Sequence, residues 1–407
     1  MDGSGAQHLG HRPALDGLRA VAILLVMWQH SALLEVPGAT LVEGGLLGVD
    51  VFFVLSGFLI TTLLLERRTV GPGGVGLRSF YARRAVRLLP ALVVFLAAHL
   101  VLVAITGDDV GRDLRTAAAA LTYTTNWAPS LGWDLSVDQV HLWTLALEEQ
   151  FYLAWPLVLA VLARLRPRLA LALIGAAVVA VALRRIQLTL AFDGGFPVVY
   201  QRTDARFDAL LVGCGVAVAL RAGVQLSRRA STALGVVGTL VLAAFVAVAD
   251  AFGDLLYLGG FTAVAVAAGA IIIALLRWDT PLARGLAWSP LVGLGRLSYS
   301  LYLWHVMAYT IALRLWPQPS APRFVAAQAL ALLLAWVSFA GVERPLQEAH
   351  RRWSDRRRTE RSSLPVPPAW LAPVAVACLL LVTATASSAI RWRDAGAATT
   401  AVEVGRP

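Results

Sequence analysis

The first apolar segment of the chain, Leu15 to Ser31 (LDGLRAVAILLVMWQHS), resembles a transmembrane span but contains Asp16, Arg19 and His30. An ionisable side chain in the hydrocarbon costs roughly 2.5 to 3.5 kcal/mol on insertion scales, so such residues usually have a function. Arg19 and His30 are eleven positions apart. At about 100° per residue, this spacing returns to within about 20° of the same helix face, with a rise of about 16 Å. We therefore predict one helix face that joins a cation near one membrane surface to a titratable base deeper in. The alternative is a snorkelling arginine and a histidine hydrogen-bonded to a neighbouring helix.

The composition indicates a polytopic membrane protein. The 407 residues are 58% hydrophobic and 15% charged, and the mean hydropathy of +0.69 is too high for a soluble protein of this length. The net charge of +10 comes from arginines that cluster in short segments between apolar runs. This distribution follows the positive-inside rule and argues against nucleic-acid binding. Because the chain contains no lysine, any phosphate group must be recognised by guanidinium groups.

About eleven apolar runs are close to the roughly 20 residues that a bilayer core requires. The arginine-rich segments between them predict a cytoplasmic N-terminus. The fold prediction is an all-α bundle of about 10 to 11 transmembrane helices, with spans near 13–35, 46–66, 88–107, 140–163, 169–187, 207–221, 231–250, 255–276, 291–316, 323–342 and 367–390.

The spans divide the chain into four predicted regions. Residues 1–346 form a transmembrane domain of about ten helices, 347–366 a basic cytoplasmic linker, 367–390 an additional transmembrane helix, and 391–407 a short extracytoplasmic tail. The Ala-rich stretch within residues 108–139 is either a plain loop or an extra interfacial helix.

Polar side chains on several spans fall in one layer in the outer half of the predicted bundle. His30 precedes the outer end of the first span, and Asp50 follows the outer start of the second, so the two are predicted at a similar level. The fourth span contributes Glu148 and Glu149, and the segment entering the sixth contributes the set Arg202, Asp204, Arg206 and Asp208. Such a layer is typical of a solvated or substrate-filled cavity. The alternative is a set of buried ion pairs that only orders the bundle.

Six segments, in chain order, resemble motifs of the acyltransferase 3 superfamily of integral membrane acyltransferases. The first is the Arg-x10-His pattern of Arg19 and His30, and the second, GVDVFFVLSGFLIT, has Asp50 and Ser56 in place. The others are FYARRAVRLLP with Arg84 and Arg87, HLWTLALEEQFY with Thr144 where serine is usual, ARFDALLVG, and LGRLSYSLYLWH followed by VERPL. The matches extend over residues 15 to 346, so the resemblance is specific.

The resemblance implies transfer of an acyl group, often acetyl from acetyl-CoA, to a hydroxyl of a glycan, a lipid-linked sugar or a secondary metabolite. The implied partners are the lipid bilayer, acyl-CoA and the hydroxyl-bearing acceptor, and the implied location is the cell membrane. Some members carry a C-terminal SGNH-type domain. About 17 residues follow the last predicted span, so none is expected here.

Acyl transfer from a thioester to a hydroxyl needs a base, a site that stabilises the oxyanion and groups that bind the phosphates of the donor. We assign the base to His30, with Glu149 or Asp50 stabilising its protonated form. Arg19, Arg84 and Arg87 are the predicted acyl-CoA contacts, although the last two could serve topology alone. The predicted substrate-binding residues are Glu148, Arg206, Asp208, Ser56, Tyr302 and His305, and no metal is expected.

Two other classes of function remain possible from the sequence. A proton-coupled transporter would also place acids, bases and arginines inside a helical bundle. A non-catalytic membrane scaffold would not need Arg19, His30 and Glu149 together. The ordered set of motifs and the lack of a detectable repeat favour the enzyme.

Overall fold

The structure is a computed structural model that describes residues 10–35, 43–66, 77–192, 196–276 and 280–360. These residues form helices joined by turns, with no strand among them. The helices are α1 Pro13–His30, α2 Gly48–Glu66, α3 Leu77–Thr106, α4 Val110–Leu121, α5 Ala128–Leu131, α6 Trp143–Leu162, α7 Pro167–Ala191, α8 Thr203–Arg221, α9 Arg228–Val248, α10 Phe261–Leu275, α11 Pro281–Leu286, α12 Ser289–Arg296, α13 Ser298–Leu315, α14 Ala321–Ser338 and α15 Arg344–Glu360.

Local sequence signals explain several helix starts. Proline occupies the first turn of α1, α7 and α14, where its missing N–H costs no hydrogen bond. The Ser227 and Ser320 side chains accept hydrogen bonds from the backbone N–H groups of Ala230 and Arg323, which caps α9 and α14. Pro90 and Pro156 lie inside α3 and α6 without ending them, as membrane helices tolerate.

Eight helices in the described residues are long and apolar enough to cross a membrane. The prediction of an all-α, multi-pass membrane protein is therefore confirmed. Two further helices, α8 and α13, are 19 and 18 residues long. α8 contains the predicted span 207–221, and α13 lies within the predicted span 291–316. The latter span is split, because α12 ends at Arg296 and α13 begins at Ser298. The predicted eleventh span, 367–390, lies outside the described residues.

Two segments outside the predicted spans are helical. The stretch of uncertain structure within 108–139 contains α4, a 12-residue helix, and is not a plain loop. The predicted start of the basic linker, residue 347, falls inside α15, which follows α14 through one π-helical turn at Phe339–Glu343. The arginine-rich segment is polar and still helical, which hydropathy alone does not reveal.

Glycines allow the central helices to approach closely. A Cβ atom at Gly57 on α2 would lie 2.0 Å from the carbonyl oxygen of Leu210 on α8, and one at Gly213 would lie 2.0 Å from that of Val54. Small residues at such contacts are typical of helix pairs in membranes. The close packing brings the polar residues of α2 and α8 within hydrogen-bonding reach of each other.

Candidate active site

A cavity of about 120 Å³ lies between α1, α2, α3, α6 and α13. Its lining includes half of the residues that the sequence predicts for the site: Arg19, Ser56, Arg84, Arg87, Glu148 and Tyr302. Much of the rest of the wall is apolar, with Phe52, Phe53, Leu59 and Leu88 among the side chains. The cavity therefore combines three guanidinium groups and one carboxylate with an apolar surface.

Arg84 is held by two contacts on α6. Its guanidinium carbon lies 3.2 Å from the centroid of the Tyr152 ring, and its Nη2 donates to Oε1 of Glu149 at 3.1 Å. Arg87 follows one turn later on α3 and also lines the cavity. Positions three apart on a helix share a face, so the two cations lie side by side. Such a pair suits an anion with several charged oxygens.

Other polar residues of the cavity wall are fixed by hydrogen bonds between helices. The Ser56 hydroxyl on α2 donates to Oε1 of Glu148 on α6 at 2.7 Å. Nε of Arg19 on α1 donates to the Ser298 hydroxyl on α13 at 3.2 Å. Each bond joins two helices, so the polar groups are positioned by the bundle and not by one flexible loop.

Three histidines cluster at the end of α1 that carries His30. Nε2 of His305 lies 3.2 Å from Nδ1 of His30, and the two ring centroids are 4.9 Å apart. The ring of His141, just before α6, is 5.4 Å from that of His305. His141 and His305 are buried, and His30 is half-buried.

Tyr302 joins the cavity to the histidine cluster. Its side chain lines the cavity, and its ring lies 5.9 Å from the ring of His305. Its hydroxyl accepts a hydrogen bond from Thr144 at 2.6 Å and donates to the backbone carbonyl of His141. The cavity and the imidazoles therefore adjoin, with one phenol ring at their border.

The structure places Asp50 with α8 and not with His30, contrary to the prediction. Both carboxylate oxygens of Asp50 lie 3.0 Å from Nη2 of Arg206. Asp208, two residues after Arg206 on α8, accepts hydrogen bonds from Nη1 of Arg185 at 2.9 Å and from the Thr262 hydroxyl at 2.6 Å. These three predicted site residues form buried ion pairs and do not line the cavity. The closeness of α2 and α8 is the physical reason, because it lets Arg206 reach Asp50.

Glu149 likewise has a different partner from the predicted one. Its hydrogen bond is to Arg84, and the hydrogen bonds of His30 in the described structure go to Val26 and His305. Glu149 and Glu148 are adjacent in sequence, so their side chains point about 100° apart on α6. Only Glu148 faces into the cavity.

Four further polar residues line the cavity, namely Thr144, Tyr152, Ser298 and Tyr299, none of which is among the predicted site residues. Thr144, Glu148 and Tyr152 are spaced by four residues on α6, which places them on one helix face. That spacing was visible in the sequence and could have identified Thr144 and Tyr152. Nothing comparable marks Ser298, since its contact with Arg19 depends on how α13 packs against α1.

Comparison with known proteins gives the family. A profile described as an acyltransferase domain matches residues 12–340. The peptidoglycan O-acetyltransferase OatA of Listeria monocytogenes is 32% identical over 360 residues, which cover 83% of this chain and 56% of that protein. The O-acetyltransferase OatA of Staphylococcus aureus is 32% identical over 362 residues, covering 83% of this chain and 57% of the relative. The chain thus spans a little over half the length of these relatives. No solved structure matches the chain.

Proposed function

The chain belongs to the acyltransferase domain family, and on that premise we propose that it is a membrane O-acyltransferase that moves an acetyl group from acetyl-CoA to a hydroxyl of a glycan. The observation that carries this proposal is the cavity lined by Arg19, Arg84 and Arg87, with Tyr302 of its wall packed against His305, which in turn contacts His30. The names of the relatives, which act on peptidoglycan or are O-acetyltransferases, support a glycan acceptor and an acetyl group.

The donor would enter from the end of the bundle that carries Arg84 and Arg87. Coenzyme A is polyanionic and cytosolic, so we propose that this end is cytoplasmic and that the guanidinium groups bind its phosphates. The apolar wall would hold the chain that leads to the thioester. The acceptor would approach from the end that carries His30.

His30 would be the general base. The acceptor hydroxyl gives its proton to the imidazole while its oxygen bonds to the acyl carbon, and the carbon–sulfur bond then breaks. The leaving thiolate takes the proton from the imidazolium. The step therefore releases one thiol for each ester formed.

The test of this function is acceptor-dependent release of coenzyme A thiol. Purified protein in liposomes, given acetyl-CoA and a panel of glycan acceptors, should release thiol only when an acceptor is present. The control omits the acceptor, which measures simple hydrolysis. Absence of thiol release across the panel, together with proton-coupled uptake of a solute into the liposomes, would instead establish a transporter.

Removal of the Arg87 or Arg84 side chain should weaken donor binding. Each charge-assisted contact to phosphate contributes about 1.5 to 3 kcal/mol, so Arg87→Ala and Arg84→Ala should raise the Kd of acetyl-CoA by about 10- to 150-fold. Arg87→Ala is the cleaner variant, because Arg84 also binds Glu149 and Tyr152. Titration calorimetry on purified protein measures the effect.

The matched control for these variants is Arg83→Ala, which removes a neighbouring cation on α3 that does not line the cavity. We expect the Kd of this variant to stay within about twofold of wild type, a change of less than 0.5 kcal/mol. Equal weakening by all three substitutions would indicate a general effect of charge, and no weakening by any would remove both residues from the donor site.

A further inference from the structure

The tautomer of His305 is determined by the backbone of its own helix. Its Nδ1 lies 3.0 Å from the carbonyl oxygen of Leu301 and 2.9 Å from that of Tyr302. Carbonyl oxygens only accept hydrogen bonds, so Nδ1 of the neutral ring must carry the proton. Nε2 of His305 is then an acceptor with a free lone pair.

That lone pair faces His30. Nε2 of His305 lies 3.2 Å from Nδ1 of His30, and the same Nδ1 lies 2.9 Å from the carbonyl oxygen of Val26. Both neighbours of this nitrogen are acceptors. Two independent contacts therefore require the proton of neutral His30 to be on Nδ1, which leaves Nε2 unprotonated.

The ring of His305 is itself firmly placed. The residue is buried on α13, and its ring lies 5.4 Å from that of His141 and 5.8 Å from that of Tyr309. Aromatic rings at these separations pack in edge-to-face arrangements that restrict rotation. The acceptor nitrogen is thus held in one direction.

We propose that His305 is a positioning residue that fixes His30 in the tautomer with its proton on Nδ1, so that Nε2 accepts the proton of the acceptor hydroxyl. This role rests on the proposed acyl transfer. In hydrolase triads an aspartate orients the catalytic histidine in this way. Here Asp50 and Glu149 are bound to Arg206 and Arg84, and a neutral imidazole takes their place. After Nε2 has gained the proton, the Nδ1–H of His30 still donates to His305 and Val26.

The kinetic test compares two substitutions of His305. His305→Ala removes the acceptor, and kcat should fall about 10- to 100-fold, since the Val26 carbonyl remains. KM for both substrates should stay within about twofold, because the change acts on the transition state. His305→Gln offers an amide oxygen close to the position of Nε2, so kcat should return to within about fivefold of wild type.

The matched control is Tyr309→Phe on the same helix. The Tyr309 hydroxyl oxygen lies 3.2 Å from the backbone carbonyl oxygen of Met27 on α1 and 2.9 Å from Oε1 of Gln328, and its single proton can be donated to either acceptor. This variant loosens the contact between α13 and α1 and leaves both imidazoles in place. Its kcat should stay within about threefold of wild type, a change of less than 1 kcal/mol in the barrier. An equal loss in Tyr309→Phe and His305→Ala would reduce His305 to a packing residue and overturn the proposal.

A second measurement reads the tautomer without any substrate. In protein labelled with ¹⁵N-histidine, the ring signals of His30, assigned by comparison with His30→Gln, should show the proton on Nδ1 in wild type and in His305→Gln. His305→Ala should give a mixture of the two tautomers. A proton on Nε2 in wild type, or an unchanged single tautomer in His305→Ala, would overturn the proposal. If the wild-type protein transfers no acyl group, the proposed function is wrong. The spectra still show in that case whether His305 fixes the tautomer of His30.

Discussion

His30→Ala should reduce acyl transfer by about 10²- to 10⁴-fold, the usual contribution of a general base. The fold should be little affected, because His30 is half-buried at the last residue of α1 and its hydrogen bonds are to one backbone carbonyl and one imidazole. Thiol release from acetyl-CoA in the presence of an acceptor measures the activity, and thermal unfolding in detergent measures the stability.

The control for this prediction is a histidine that we expect to matter for stability and not for turnover. His99 on α3 is buried and its Nε2 lies 3.0 Å from Oδ1 of Asp113. His99→Ala should lower the unfolding temperature, because the buried Asp113 carboxylate loses one of its two hydrogen-bond partners. The turnover of the folded protein should stay within about threefold of wild type, because His99 neither lines the cavity nor contacts His30. If His30→Ala keeps more than a few per cent of wild-type turnover, the assignment of His30 as the base is wrong.

The sequence predicted the membrane-spanning helices well because the bilayer imposes length and apolarity on them. α2, predicted at 46–66, is observed at Gly48–Glu66, and α6, predicted at 140–163, at Trp143–Leu162. α3 is the exception, since the span predicted at 88–107 belongs to a helix that begins at Leu77. Its first eleven residues include four arginines and are still helical, so a hydropathy window overlooks them. Arg84 and Arg87 therefore lie on α3 itself and line the cavity, and do not belong to a loop before it.

The site was only partly predictable, because depth in the membrane can be read from a sequence but rotation about a helix axis relative to its neighbours cannot. Asp50 and His30 were placed at one level by counting residues, yet Asp50 points at α8. His305 was predicted to bind substrate, and only the packing of α13 against α1 reveals its contact with His30. Motif spacing identifies the members of a site, whereas tertiary contacts assign their partners.

Arg206→Met should be the most destabilising of the substitutions considered. Arg206 and Asp50 are both 1% exposed as side chains, and the guanidinium carbon also lies 3.6 Å from the centroid of the Phe261 ring. Methionine approximates the volume of the arginine stem and removes the charge, so an ionised Asp50 is left buried without its partner. Breaking a buried pair from one side costs about 3 to 5 kcal/mol. Unfolding in mixed micelles with increasing denaturing detergent measures the loss.

The double variant Asp50→Leu with Arg206→Met shows whether the ion pair adds net stability or only compensates the burial of its own two charges. Replacing both partners of a buried ion pair by apolar residues of similar volume is often neutral or stabilising by about 1 to 4 kcal/mol. We therefore expect the double variant to recover most of the stability that Arg206→Met loses.

If the double variant keeps its activity as well, Asp50 and Arg206 order the bundle and take no part in binding. If it is stable but inactive, with wild-type affinity for acetyl-CoA, the pair belongs to the acceptor side of the site, as the sequence predicted for Arg206. Equal stability of Arg206→Met and wild type would contradict the buried contact itself.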